Sequence, residues 1–137
     1  MHTGGCFCGA VRYEAELPVL NSTLCHCSMC RRLCGAPSVA WFSVPRGQFR
    51  YVRGRPSVFH SSPGVTREFC GACGTQLTFA DERSPQELDI TTCSLDDADA
   101  MPPQDHTFSA SRLHWETVAD DLPRYLRTRA DGALESA

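Results

Sequence analysis

The sequence predicts a single, mainly β domain of sandwich-like or open-barrel type. Short runs alternate apolar with polar residues, which is the period of a half-buried strand. Turn residues recur at close intervals between these runs, as they do in all-β domains. A chain of 137 residues also has the length of one domain with a substantial core.

The first predicted strand contains Val11, Tyr13 and Ala15, which alternate with charged residues. Residues 23–27 are interpreted as a short strand end. Residues 28–34 predict a short helix, with Ser28 as its N-cap and a stop at the Gly-Ala-Pro sequence that follows.

The rest of the chain continues the strand pattern. Residues 38–44 predict a strand, and a Pro-Arg-Gly turn connects it to a hairpin partner that carries Phe49 and Tyr51. Further short strands are predicted at 58–62, 66–69, 75–79 and 88–93. The acidic segment 96–103 is interpreted as a loop. Residues 113–126 are interpreted as an irregular segment with a short helix at 122–126, and the tail from 128 as frayed.

Four aromatic residues are assigned to the core: Trp41, Phe42, Phe59 and Trp115.

Charge and hydropathy exclude several classes of function. The net charge is −3, which argues against nucleic acid as the main partner, because phosphate binding needs a basic face. All 13 basic residues are Arg, so lysine Schiff-base chemistry is excluded. No apolar run reaches the roughly 20 residues of a membrane span, and the N-terminus lacks the pattern of a secretory signal. We therefore expect a cytoplasmic protein that does not bind membranes; the sequence does not predict its oligomeric state.

Nine cysteines in 137 residues predict metal binding rather than disulfides, because their number is odd and the context is not secretory. Cys6 and Cys8 form a Cys-x-Cys-Gly turn, and Cys70 and Cys73 form a Cys-x-x-Cys-Gly turn. Each following glycine lets the backbone fold close to the sulfurs. Four thiolates close the coordination of a zinc ion, so this set predicts a structural site that connects the two hairpins.

A second set of cysteines, Cys25, Cys27 and Cys30, offers only three ligands within six residues. Three protein ligands leave one coordination position open, which is typical of a catalytic zinc site. His26 alternates with its neighbours and is expected to point the other way. The alternative is a second closed site, completed by His26, Cys34 or Cys93; otherwise Cys34 and Cys93 are interpreted as small buried apolar residues.

Three segments make the sequence resemble the glutathione-dependent formaldehyde-activating enzyme family, which includes the vertebrate centromere protein V. These are Gly-Gly-Cys6-Phe-Cys8-Gly-Ala-Val-Arg-Tyr-Glu, Cys25-His-Cys27-Ser-Met-Cys30-Arg-Arg and Phe69-Cys70-Gly-Ala-Cys73-Gly-Thr. The resemblance covers about residues 3–126 of one zinc-binding domain that we take to span 1–137. It implies a β-tent fold of short antiparallel sheets, a structural zinc on Cys6, Cys8, Cys70 and Cys73, and a catalytic zinc on Cys25, Cys27 and Cys30. Cys34 is not one of the family's ligand positions.

The resemblance also implies a carbon–sulfur lyase that forms or cleaves S-hydroxymethylglutathione from glutathione and formaldehyde. Three thiolates make zinc a weak Lewis acid that is suited to a soft thiol, so we expect reversible addition of a small-molecule thiol to an aldehyde. Arg31 and Arg32 would bind a substrate carboxylate, unless they only form a solvated helix face. The alternative function is a zinc-stabilised binding module without turnover.

Overall fold

A computed structural model describes residues 1–136, in which ten strands and one α-helix form. The helix is α1 (Ser28–Cys34). The strands are β1 (His2–Gly5), β2 (Arg12–Ala15), β3 (Asn21–Cys25), β4 (Val39–Pro45), β5 (Phe49–Arg53), β6 (Ser57–Ser62), β7 (Val65–Phe69), β8 (Gln76–Asp81), β9 (Glu87–Thr91) and β10 (Asp105–Thr107).

The described chain falls into two compact units. The first consists of Met1–Asn21 and Phe42–Pro102, and the second of Ser22–Trp41 with the residues from Pro103 onward. The prediction of a single domain over 1–137 stays a prediction. No helix within residues 1–136 has both the length and the apolar character needed to cross a membrane.

The first unit contains two groups of paired strands. Strands β1, β2 and β5 form a small antiparallel sheet in that order. The second group runs in the order β4, β9, β8, β7 and β6, and its hairpins β6–β7 and β7–β8 are antiparallel. The mainly β class is therefore confirmed, and the short strands lie close to the predicted positions.

The core of the first unit is built from the inward side of these strands. Tyr13, Phe42, Val44, Leu77 and Ile90 are completely buried in it. Alternation along β2 puts Tyr13 and Ala15 inside while their neighbours stay partly exposed, as the sequence predicts. Each fully buried large side chain of this kind contributes roughly 1.5–3 kcal/mol to the stability of the fold.

The second unit is built around β3, α1 and β10. β10 pairs with β3 in parallel, with Thr107 opposite Cys25. The helix follows β3 after two residues and ends at Gly35, which adopts the left-handed conformation (φ 59°) that favours glycine. The helix bounds and the Gly35 stop are therefore confirmed.

Four predictions, about the helix cap, the segment 122–126 and two aromatic residues, are wrong. Cys27, rather than Ser28, is the N-cap of α1, because the Cys27 sulfur accepts the Cys30 backbone N–H at 3.2 Å. Residues 122–126 form no helix: Arg124 and Tyr125 make isolated bridges instead, the former to His106.

Trp115 is 72% exposed and, in the first unit, Phe59 is 49% exposed, so neither is a core residue, whereas Trp41 and Phe42 are buried as predicted.

The tail is also more ordered than predicted. The Leu126 backbone N–H donates to the Ala133 carbonyl at 2.8 Å, and the Glu135 N–H donates to the Arg124 carbonyl at 2.9 Å. Arg129 forms a two-pronged ion pair with the buried carboxylate of Asp105, at 2.5 and 2.8 Å. Backbone pairing and this ion pair therefore fix the chain well past residue 128, which composition alone did not indicate.

Candidate metal centres

Four cysteine sulfurs converge in the first unit, in what we call the four-sulfur cluster: Cys6, Cys8, Cys70 and Cys73. All four sulfurs lie within 4.8 Å of one another. The Cys8 sulfur is 3.6 Å from that of Cys6 and 3.8 Å from that of Cys70. A tetrahedral zinc ion with Zn–S bonds of about 2.3 Å places neighbouring sulfurs about 3.8 Å apart, so the cluster fits that ion.

Two similar turns hold the four-sulfur cluster. The Gly9 backbone N–H donates to the Cys6 carbonyl at 3.1 Å, and the Gly74 N–H donates to the Cys70 carbonyl at 2.8 Å. Gly9 and Gly74 have φ of 80° and 84°, a conformation that side chains with a Cβ rarely adopt. The glycine that follows each cysteine pair therefore has the role that the sequence predicted for it.

Hydrogen bonds to two of the four sulfurs, those of Cys6 and Cys73, favour their thiolate form. The Val11 backbone N–H donates to the Cys6 sulfur at 3.2 Å. The hydroxyl and the backbone N–H of Thr75 hydrogen-bond to Cys73 and lower the pKa of its thiol to about 5. Such donors stabilise thiolate, which is the form that binds a metal.

Three cysteine sulfurs form a second group in the second unit, the three-sulfur cluster: Cys25, Cys27 and Cys30. Cys25 ends β3, Cys27 caps α1, and Cys30 lies in its first turn, so strand end and helix start bring the sulfurs together. The Cys25 and Cys30 sulfurs are 3.9 Å apart, and all three residues are less than 10% exposed.

The three-sulfur cluster favours one thiolate before metal binds. Hydrogen bonds from the Cys25 and Cys30 thiols lower the pKa of Cys27, burial acts against them, and the backbone N–H groups of Cys30 and Met29 add to the lowering. The same interactions raise the pKa of Cys25. Metal binding would displace the remaining thiol protons, because only thiolates coordinate an ion.

Within residues 1–136, no further His, Cys, Asp or Glu side chain joins the three-sulfur cluster. Cys34 lies one turn beyond Cys30 and is half-buried, but it does not belong to the cluster. Cys93 lies in the first unit and is exposed, so the interpretation of Cys93 as a buried apolar residue is wrong. None of the nine cysteines, all of which are described, forms a disulfide.

The His26 side chain belongs to a different network, which the sequence did not predict. The His26 Nε2 is 2.9 Å from the His106 Nδ1, and the His106 Nε2 is 2.9 Å from an Asp120 carboxylate oxygen. His26 and His106 are almost fully buried, at 3% and 1% exposure. Although burial raises the pKa of Asp120, the hydrogen bond from His106 lowers it, and the overall shift is downward. Only the parallel pairing of β10 with β3 could have signalled this contact, and a three-residue strand leaves almost no sequence pattern.

We expect Asp120→Asn to lower the free energy of unfolding by about 1–3 kcal/mol, because it weakens a charged hydrogen bond to a buried imidazole. Urea unfolding of the zinc-loaded protein measures this change. The matched control is Asp121→Asn, which removes the same charge from an exposed neighbour and should change stability by less than about 0.5 kcal/mol. Equal effects of the two variants would show that the His26–His106–Asp120 chain contributes nothing to stability.

These features define a class of protein: a small β protein with two cysteine clusters able to bind metal ions. Residues 1–111 match the sequence model of the family described as glutathione-dependent formaldehyde-activating enzyme, and the chain belongs to that family.

Known proteins similar to this chain come from yeast and bacteria. A Schizosaccharomyces pombe protein named as an uncharacterized lyase is 33% identical over 79 aligned residues. The aligned part covers 58% of this chain and 57% of the length of that protein. A Halomonas elongata protein, provisionally named as a glutathione-dependent formaldehyde-activating enzyme, is 29% identical over 84% of this chain and 79% of its own. A crystal structure of a Rhodobacter sphaeroides protein matches with a TM-score of 0.59 and 27% identity, over 69% of this chain and 87% of that one.

Proposed function

We propose that this protein is a zinc-dependent carbon–sulfur lyase that adds a thiol to an aldehyde and reverses that addition. In the forward direction a C–S bond forms, the carbonyl C=O becomes a C–OH, and the thiol proton ends on that oxygen. S-hydroxymethylglutathione, made from glutathione and formaldehyde, is the adduct that we propose first. The family and the names of its relatives support a thiol and an aldehyde as substrates.

One observation carries this proposal: the three-sulfur cluster provides three ligands, and no fourth side chain of the described residues completes it. Zinc bound there would offer an open coordination position at which a thiol binds as the more nucleophilic thiolate. The four-sulfur cluster would in turn hold a structural zinc, because four thiolates leave no open position.

The chain's own residues would position the reaction. Cys25, Cys27 and Cys30 hold the metal, and their burial keeps the reacting sulfur away from bulk water. The Cys30 backbone N–H donates to the Cys27 sulfur at 3.2 Å, which fixes that ligand at the start of α1. Rigid ligands matter because a misplaced reacting atom slows catalysis strongly.

Anionic groups on the substrate would be bound by arginine. Arg32 is exposed on α1, two residues after Cys30, and is the better candidate. Arg31 donates to the Ser111 carbonyl at 2.9 Å and therefore has a structural contact already. We further propose that the protein acts in the cytoplasm on a small molecule and binds neither membranes nor nucleic acid.

The rate of adduct exchange tests this function. We expect the zinc-loaded protein to accelerate the exchange between glutathione, formaldehyde and S-hydroxymethylglutathione above the spontaneous rate, as measured by NMR exchange spectroscopy. Other thiol–aldehyde pairs, such as 2-mercaptoethanol with acetaldehyde, define the substrate range. If no pair exchanges faster with the protein than without it, the proposal is wrong, and a zinc-stabilised binding module becomes the better account.

A further inference from the structure

The first unit contains a groove of about 540 Å³ that the proposed reaction does not use. Strands β5, β7 and β8 and the turns beside them line this groove. Small-molecule sites enclose roughly 300–1,000 Å³, so the groove has room for a ligand. Its walls combine a few charged side chains with an apolar part, which is formed by Phe49, Tyr51, Ala80 and Leu88.

Two hydroxyl groups fix the Glu68 carboxylate in the wall of the groove. The Glu68 Oε1 accepts the Thr78 hydroxyl at 2.9 Å and the Tyr51 hydroxyl at 3.2 Å. Burial, aided by the nearby charge of Glu68, raises the pKa of Tyr51, so its hydroxyl keeps its proton and remains a donor. Because both donors meet the same oxygen, they orient the carboxylate and leave its other oxygen unused.

That other oxygen, Oε2 of Glu68, is open to a guest. No residue within 1–136 donates a hydrogen bond to it. It is not one of the buried polar atoms that lack a partner in this part of the chain, so molecules in the groove can reach it. A carboxylate oxygen only accepts, and the group that fits it is therefore an N–H or O–H donor.

The charge of Glu68 favours a cationic donor. Arg50 and Asp81 also line the groove, but Arg50 is paired with Glu14 at 2.9 Å and Asp81 with Arg83 at 2.7 Å. Glu68 is half-buried and takes part in none of the ion pairs of residues 1–136. A half-buried carboxylate without a counter-charge is costly, and a bound cation would relieve that cost.

The two remaining charges of the groove, Arg46 and Glu82, lie at its other end. Strand β8 ends opposite Val65, which is three residues before Glu68 on β7, or about 10 Å along a strand. Glu82 follows directly after β8, and the Arg46 backbone N–H donates to the Gln86 carbonyl in the same turn at 2.8 Å. Both side chains are exposed and opposite in charge, so they leave the charge of Glu68 unbalanced.

We propose that this groove binds a small-molecule amine, in which a protonated amino group is attached to an apolar body. The amino group donates to the Glu68 Oε2, and its positive charge lies beside the ring of Tyr51. The apolar body covers Phe49, Ala80 and Leu88. No lining residue belongs to either cysteine cluster, so the site goes beyond the proposed function and its test does not depend on catalysis.

Titration of the zinc-loaded protein with phenethylammonium chloride tests this site, with backbone amide signals followed by NMR at constant ionic strength. We expect saturable shifts at Tyr51, Thr66 and Thr78, with a Kd in the millimolar range or below. Glu68→Gln keeps the shape but removes the charge, and should weaken binding by about tenfold or more. Glu82→Gln is the matched control at the exposed end of the groove, and should change the Kd by less than about twofold.

Two related compounds test the same claims on wild-type protein, and they decide the matter if Glu68→Gln does not fold. Phenethyl alcohol has the same apolar body without the charge, and ethylammonium has the charge without the aromatic body. Each should bind at least about tenfold more weakly than phenethylammonium. The proposal is overturned if the groove amides show no saturable shift, if either compound binds as tightly as phenethylammonium, or if Glu68→Gln binds no more weakly than Glu82→Gln.

Discussion

Cys70→Ser should abolish cooperative folding of the first unit. Cys70 is 1% exposed and belongs to the four-sulfur cluster, so its loss removes a ligand from the proposed structural zinc. Structural zinc binding contributes on the order of 10 kcal/mol to folding. Because domains of this size are stable by only about 5–15 kcal/mol in total, that loss should be decisive. Circular dichroism and thermal unfolding of the purified variant measure it.

Cys93→Ser is the matched control for this prediction. Cys93 lies in the same unit, is exposed and is not part of either cluster, so the variant should melt as wild type does. Removal of zinc with a strong chelator should reproduce the Cys70→Ser effect in wild-type protein. A Cys70→Ser protein with the wild-type melting temperature would mean that the four-sulfur cluster does not hold the unit together.

Cys27→Ser should abolish thiol–aldehyde exchange while the protein stays folded. The substitution removes one ligand of the three-sulfur cluster, and we expect the rate above the spontaneous reaction to fall by more than about 100-fold. Serine is itself a preferred N-cap and can accept the Cys30 backbone N–H in place of the sulfur. The helix α1 should therefore survive. NMR exchange rates measure the loss of activity, and circular dichroism on the same sample measures whether the fold is kept.

The control for Cys27→Ser is Cys34→Ser on the same helix. Cys34 is outside the cluster, so this variant should keep both its fold and its activity. Exchange at the wild-type rate in Cys27→Ser would show that the three-sulfur cluster takes no part in the reaction. Equal losses of activity in both variants would instead indicate a general disturbance of α1.

Much of this architecture could be predicted because it depends on local sequence. The alternation of Tyr13 and Ala15 with charged residues identified β2, and the spacing of the cysteines grouped them as the structure does. The glycines after Cys8 and Cys73 were informative because only a residue without a Cβ readily adopts their φ.

The contacts that the sequence missed are long-range. His106 lies 80 residues from His26 and meets it only because β10 pairs with β3, and the ion pair of Asp105 with Arg129 depends on the same strand. Serine is a common capping residue, so the sequence favours Ser28 as the N-cap. In the structure the Cys27 sulfur takes that role instead, because its place in the cluster holds it at the helix start. Residue type predicts a core position for Trp115, but type does not determine burial by itself, and Trp115 is exposed.

Metal content in wild type and Cys27→Ser tests the central claim most directly, namely that the two cysteine clusters hold separate zinc ions with separate roles. Mass spectrometry of the native proteins, together with elemental analysis, should find two zinc ions per chain in wild type and one in a folded, inactive Cys27→Ser protein. Two zinc ions in an inactive Cys27→Ser, or the loss of both together with the fold, would contradict the division between a structural and a catalytic site.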